Sequence, residues 1–394
     1  MTRARSWEGP ALLSYGFRPF FFLGSLYAGV LILLWVPWFL GAISLPIALP
    51  PVAWHAHELL FGFLPAVIAG FLLTAVPNWT GRLPVVGWPL ASLVALWLIG
   101  RATIFFSLML SPIGVAAAAI SFPLALAIVI AREIVAGRNW RNLAVLIIFA
   151  LLIAAQILFH FELWRTGKAV ASIHLAIAVP IMLIMVIGGR IIPSFTTNWL
   201  RQANPGRLPV PFDRYDRFAL IVSAVALTGW FALSFMDAVR VPVGVTLVIA
   251  ALANGWRQAR WAPHRTFAEP LVVILHLAYA FVGIGFLLAG LGVLGDGSEF
   301  RSVAIHAWTA GAIGTMTLAV MTRATRGHTG RPLTAPAGTV AIYAAAIIGA
   351  AARIAAALTP EYASTLLPLA GLAWSGAFLG FAALYGPMLA TPRR

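Results

Sequence analysis

The chain places two histidines and an acid within four residues, in Trp54-His55-Ala56-His57-Glu58, at the start of a long apolar run. Neutral imidazole is a metal donor, and a carboxylate beside it fixes its tautomer and raises its basicity. Ionisable groups at membrane depth are costly, so a cluster of them there points to a site. On a helix, residues two apart point about 200° from each other. His55 and His57 therefore cannot serve one metal if both are helical, unless His55 lies just before the first turn. His55 and Glu58 share a face. The other histidines of interest are His160, His174, His276 and His306. The chain has 8 His and no Cys, which removes disulfides, thiolate metal sites, iron–sulfur clusters and covalently attached c-type haem. Imidazoles from different helices, without thiolates, suit copper and a non-covalently held b-type haem better than zinc. Glu58 and Glu162 are the carboxylates placed to orient imidazoles or pass protons. Tyr279, one turn past His276, shares its face and is placed to hydrogen-bond a metal-bound ligand.

The elements that must position these groups are membrane helices. The chain is 61% hydrophobic and only 9% charged, against about 25% charged in soluble domains. Spans of roughly 20 apolar residues fall at 17–40, 54–77, 86–108, 112–134, 141–163, 170–192, 217–236, 239–256, 266–293, 301–321, 336–357 and 362–388. This predicts an all-α integral membrane protein of twelve transmembrane helices in a single domain over 1–394. The stretch 193–216 is a polar, proline-rich loop. Arg3 and Arg5 ahead of the first span resemble a signal-peptide start, but that span is too long and lacks a cleavage site, so it reads as an uncleaved helix.

Basic residues exceed acidic ones, 26 Lys+Arg against 11 Asp+Glu, and their placement serves topology rather than nucleic acid. With both termini in the cytoplasm, only Arg165, Lys168, Arg240, Arg301 and Arg353 remain outside, and Arg101 lies within the third span. On that topology His55, His57, His160, His174 and His306 sit near the outer face, and His276 lies about 15 Å deep at 1.5 Å per residue. Only His264 and His328 fall in inner loops. A weak internal echo runs through spans 2, 6 and 10. His57 leads to Thr80-Gly81-Arg82, His306 to Thr329-Gly330-Arg331, and His174 to Thr196-Thr197-Asn198-Trp199. Three quasi-repeats of four helices would each present a histidine from the second helix.

Several stretches together resemble one family. Gly16-Phe17-Arg18-Pro19-Phe20-Phe21, Trp54-His55-Ala56-His57-Glu58 with Phe61-Gly62-Phe63, and Phe71-Leu72-Leu73-Thr74-Ala75-Val76-Pro77-Asn78-Trp79-Thr80-Gly81 are similar to signatures of the NnrS family. So are Gly188-Gly189-Arg190-Ile191-Ile192-Pro193, and His306 with Gly311 to Met316 and Met321 to Gly330. The resemblance implies a bacterial inner-membrane protein that contains haem and copper and belongs to nitric oxide metabolism. The architecture alone also resembles the main subunit of haem–copper oxidases and nitric oxide reductases. This chain departs from that pattern in lacking paired histidines on helix 7 and in carrying its His-x-His on helix 2.

The expectation is a protein that binds nitric oxide and reduces it to nitrous oxide, with electrons from a quinol or a separate carrier. Haem would be gripped by His57 (or His55) and His306, with Arg101 on a propionate or on Glu58. Copper would be held among His160, His174 and His276. Glu58, Glu162 and Tyr279 would manage protons and bound ligand. The alternatives are a non-catalytic nitric oxide scavenger or metal-handling protein, and a secondary transporter. Nucleic acid is not an expected partner.

Overall fold

Backbone amides have no water to bond in a bilayer, so apolar stretches of this length must satisfy them internally as helices. The computed structural model describes residues 7–295 and 299–393, and among these there are helices and turns but no strand. Arg3, Arg5 and Arg394 lie outside the described residues. Among the described residues, eleven helices are long and apolar enough to cross a membrane. They are α1 Phe17–Phe39, α2 Pro51–Thr80, α3 Trp88–Phe105, α4 Pro112–Ala136, α5 Trp140–Thr166, α6 Ala171–Ala203, α8 Asp237–Arg265, α9 Pro270–Leu294, α10 Phe300–His328, α11 Ala337–Leu358 and α12 Pro360–Ala390.

The twelfth expected helix forms as α7, Arg214–Ala232. Its first turn carries Arg214, Asp216 and Arg217, which dilute its apolar composition. Beyond that turn it behaves as a membrane helix. Phe218, Ile221 and Val225 face outward, 48%, 63% and 58% exposed, while Ala219, Ala226 and Trp230 are buried. A helix apolar on both faces is stable in lipid rather than in water.

The sixth and tenth helices run well past their expected ends. The sixth continues from 192 to Ala203 and the tenth from 321 to His328. Hydropathy stops where the apolar run stops, but these tails are amphipathic and stay helical by burying one face. In α6 the tail buries Ile192, Thr196 and Leu200 and turns Arg190, Ser194 and Arg201 outward. The proline-rich loop is correspondingly shorter than 193–216.

The chain divides into two compact units. The first comprises 7–176, 324–332 and 378–393 of the described residues. In it α1 packs on α2, α3 on α4, and α4 on both α2 and α5. Its core is aromatic, with Phe17, Phe20, Phe21, Phe61, Phe122, Phe149 and Phe159 all fully buried. Arg18, also buried, donates to the carbonyls of Leu389 (2.8 Å) and Thr391 (2.6 Å), satisfying carbonyls at the end of α12. The second unit comprises 177–295, 299–323 and 333–377. There α7 packs on α8, α8 on α9, and α9 and α11 on α10, around Trp261, Trp308, Tyr279 and Phe286.

Three segments are π-helical: Glu58–Phe63 in α2, Ile184–Gly188 in α6 and Ala307–Gly314 in α10. They fall in the three helices that carry the spaced histidines. Two of them start at the residue after a histidine, His57 and His306. A π-turn admits an extra residue, so it re-aims the side chains around it and is frequent at functional sites.

Candidate metal centre

The helical start of α2 answers the His-x-His question directly. Pro51 begins the helix, a position where its missing amide hydrogen costs nothing. His55 and His57 are both helical and point apart. His55 stacks on Trp35 of α1, with ring centroids 4.1 Å apart. His57 turns inward and is 0% exposed.

His57 Nδ1 lies 2.6 Å from Glu58 Oε1, and Arg101 Nη1 donates to the same oxygen at 2.6 Å. The Tyr27 hydroxyl donates to Glu58 Oε2. Glu58 is itself 0% exposed, and a buried carboxylate is tolerable only with such compensation. Of the two partners expected for Arg101, the structure shows Glu58. Arg101 reaches it across Gly62, where a Cβ would stand 2.5 Å from Nη1. Any side chain at 62 would displace the guanidinium. Trp97 of α3 donates its indole N–H to the Gly62 carbonyl at 2.9 Å and fixes that approach.

Opposite His57 stands His160 of α5, with ring centroids 5.1 Å apart and planes at 65°. Phe61 and Phe159 flank His57 at 5.5 and 5.2 Å. His57 Nε2, His160 Nε2, Gln156 Nε2 and Arg101 Nε are buried without a hydrogen-bond partner. Such atoms are rare in folded proteins, and here several belong to one cluster. Gln156 and His160, four apart, share a face of α5. Because Glu58 accepts from His57 Nδ1–H, the lone pair of His57 lies on Nε2, the nitrogen without a partner. The donor set is therefore an imidazole braced by a carboxylate, facing a second imidazole, a combination that fits a metal. Among the described residues no group of three or more His, Cys, Asp or Glu is arranged to hold a metal ion. The centre is a pair, and it unites His57, expected on haem, with His160, expected on copper.

In the second unit His276 lies 2.9 Å from Thr196 Oγ1. Thr196 spends its own proton on the Ile192 carbonyl (2.8 Å), so it accepts from His276 Nε2–H. His276 Nδ1 then carries the lone pair, buried without a partner. Tyr279 does not reach toward His276. Its hydroxyl accepts from Arg257 Nη1 (3.0 Å) and donates to Asn254 Oδ1 (2.7 Å). Arg257 in turn pairs with Asp216 at 2.8 Å and donates to the Met185 carbonyl in the π-helix of α6. His306 Nδ1 lies 2.7 Å from the Ser302 carbonyl, which fixes Nδ1 as the protonated nitrogen.

The remaining expected residues have local roles. Glu162 accepts from the backbone amides of Ala171 and Ser172, each at 3.0 Å, and so caps the start of α6. His174 is buried one turn into α6. His328 packs against Tyr15 and Phe17 at 6.2 and 5.4 Å. Sequence reasoning passed over Tyr27 and Gln156, single polar residues in apolar helices, and met Thr196 only in the internal echo. It also passed over Arg257, counted among inner-end charges, and Asp216, placed at the end of the 193–216 loop, although both are buried.

Fold and centre together define a multi-pass helical membrane protein with a buried, carboxylate-braced imidazole pair. The chain belongs to the NnrS family, whose model, described as NnrS protein, matches residues 11–393. Comparison with curated proteins and with solved structures gives no match.

Proposed function

We propose that this chain binds haem and copper in the membrane and reduces nitric oxide. Two nitric oxide molecules, two electrons and two protons give nitrous oxide and water, with the electrons drawn from a quinol that leaves as quinone, or from another carrier. The observation that carries the proposal is the pair of buried imidazole nitrogens, His57 Nε2 and His160 Nε2, left without protein partners beside the Glu58–Arg101 ion pair.

Two neutral imidazoles with no free carboxylate suit copper, and His57 and His160 would hold it. Imidazole is a haem-iron donor, and His306, oriented through Ser302, would be the residue to hold haem. Iron and copper, when bound, supply redox reach and Lewis acidity toward nitric oxide. The protein's own contribution is positional. Glu58 holds the His57 tautomer, Arg101 and Tyr27 hold Glu58, and Phe61 and Phe159 keep water from the rings. Glu58 also accepts from both Tyr27 and His57, so protons at Tyr27 Oη and His57 Nδ1 share one acceptor.

A second reading, binding of nitric oxide without turnover, draws on Glu162 and Tyr279. Both are committed to a helix cap and to a structural network, which leaves Glu58 as the one expected proton carrier still beside the imidazoles. Anaerobic incubation of purified protein with nitric oxide and a reduced quinol analogue separates the readings. Nitrous oxide at many equivalents per chain supports reduction. Nitric oxide uptake that stops at a fixed stoichiometry, with no nitrous oxide, supports binding alone.

A further inference from the structure

No charged residue occurs between Lys168 and Arg190. The helix α6 nevertheless runs for 33 residues, about 50 Å at 1.5 Å per residue, against a hydrocarbon core about 30 Å thick. The stretch from Arg190 onward therefore projects beyond the hydrocarbon. On this projecting part Arg190, Ser194, Thr197 and Arg201 recur at helical spacing along one face, with Asn198 beside them. That face forms a wall of a cavity of about 630 Å³, closed on another side by the loop 208–212 and also lined by Gly189, Asp216 and Trp261.

The polar wall consists of donors. Arg190, Ser194, Thr197, Asn198 and Arg201 take part in none of the hydrogen bonds or ion pairs the described side chains make, so their donors are available to a ligand. The one carboxylate facing the cavity, Asp216, is neutralised by Arg257 at 2.8 Å and by Arg260 at 3.5 Å. Asp213, three residues before it, is paired with Arg260 as well. The cavity thus has a net positive lining. Behind it, Arg257 is 0% exposed and its Nη2 has no partner. It lies where a side chain at Gly189 would have to be, since a Cβ there would stand 2.2 Å away. Arg257 does not itself line the cavity, but its charge, buried behind Gly189, adds to the positive potential there.

We infer that this cavity binds a phosphate-bearing anion, gripped by Arg190 and Arg201 and hydrogen-bonded by Ser194, Thr197 and Asn198. Arginine forks and hydroxyls match phosphate oxygens. The position, just outside the hydrocarbon, is open to two sources of that group: the headgroup of an anionic phospholipid, and free phosphate. The inference does not depend on metal content.

The test uses purified full-length protein. One arm measures binding of radiolabelled inorganic phosphate in neutral detergent. The other measures retention of phosphatidylglycerol over phosphatidylcholine by protein in mixed-lipid nanodiscs. Both are repeated with Arg190→Gln/Arg201→Gln and with Ser194→Asp, a single exposed substitution that leaves the helix intact and sets a carboxylate against the ligand. Saturable binding near one per chain, at least about tenfold weaker in both variants, is expected in one arm. The arm that shows it identifies the source: phosphate alone means a soluble ligand, and phosphatidylglycerol alone means a lipid headgroup. Absence of saturable binding in both arms, or equal binding by wild type and variants, overturns the inference.

Discussion

Glu58 is held by Arg101 from one side and by Tyr27 from another. A buried ion pair is costly to break from one end, because the surviving charge keeps its desolvation penalty. Arg101→Met should lower stability by about 3–5 kcal/mol, read as a fall in the detergent unfolding midpoint. Adding Glu58→Met should recover much of that loss, since the orphaned charge is then gone. Much of this was legible in the sequence. Trp54 to Glu58 is conspicuous because two imidazoles and an acid open an apolar run, and Arg101 because it is a charge within a span. The pairing of His57 with His160 was not legible. Which face of α5 meets which face of α2 is decided by packing among Phe61, Phe159 and their neighbours, and a helix apolar nearly all round shows little periodicity to reveal it.

Among the helices, the π-turn of α2 and Gly62 place the guanidinium, and the capping box at Asp213 fixes the start of α7. Gly62→Ala should displace Arg101 and produce a stability loss approaching that of Arg101→Met. Combined with Arg101→Met it should add little, because both changes remove one contact; full additivity in a double-mutant cycle would contradict this. At the α7 cap, the hydrogen bond from Arg260, with those of the backbone amides of Asp216 and Tyr215, holds the Asp213 carboxyl at about 2, below its usual 3.8. A depressed acid stabilises the folded state only where it is ionised there, so this contribution is intact above about pH 3.8 and fades as pH falls toward 2. Asp213→Asn should flatten the pH dependence of the unfolding midpoint in that window, and an unchanged slope would count against the cap. Helix number was readable from hydropathy, but the π-turns and the long tails of α6 and α10 were not. A π-turn is set by local backbone register rather than composition, and the tails are amphipathic where hydropathy sees only polarity.

At the scale of the whole molecule, the distribution of basic residues argues for cytoplasmic termini. The chain has no cysteine, so single cysteines report orientation without background. Lys168→Cys should react with a membrane-impermeant maleimide in intact spheroplasts, and Asn139→Cys only after permeabilisation; the reverse pattern would invert the topology. Family membership follows from a match over nearly the whole chain, whereas the chemistry must be earned from the buried imidazoles. The most direct test is the copper content of purified protein after reconstitution, for wild type, His57→Ala, His160→Ala and His174→Ala. Copper is expected in the wild type and in His174→Ala, and is expected to be lost in both His57→Ala and His160→Ala while the proteins remain folded. Full copper in both of those variants would contradict this.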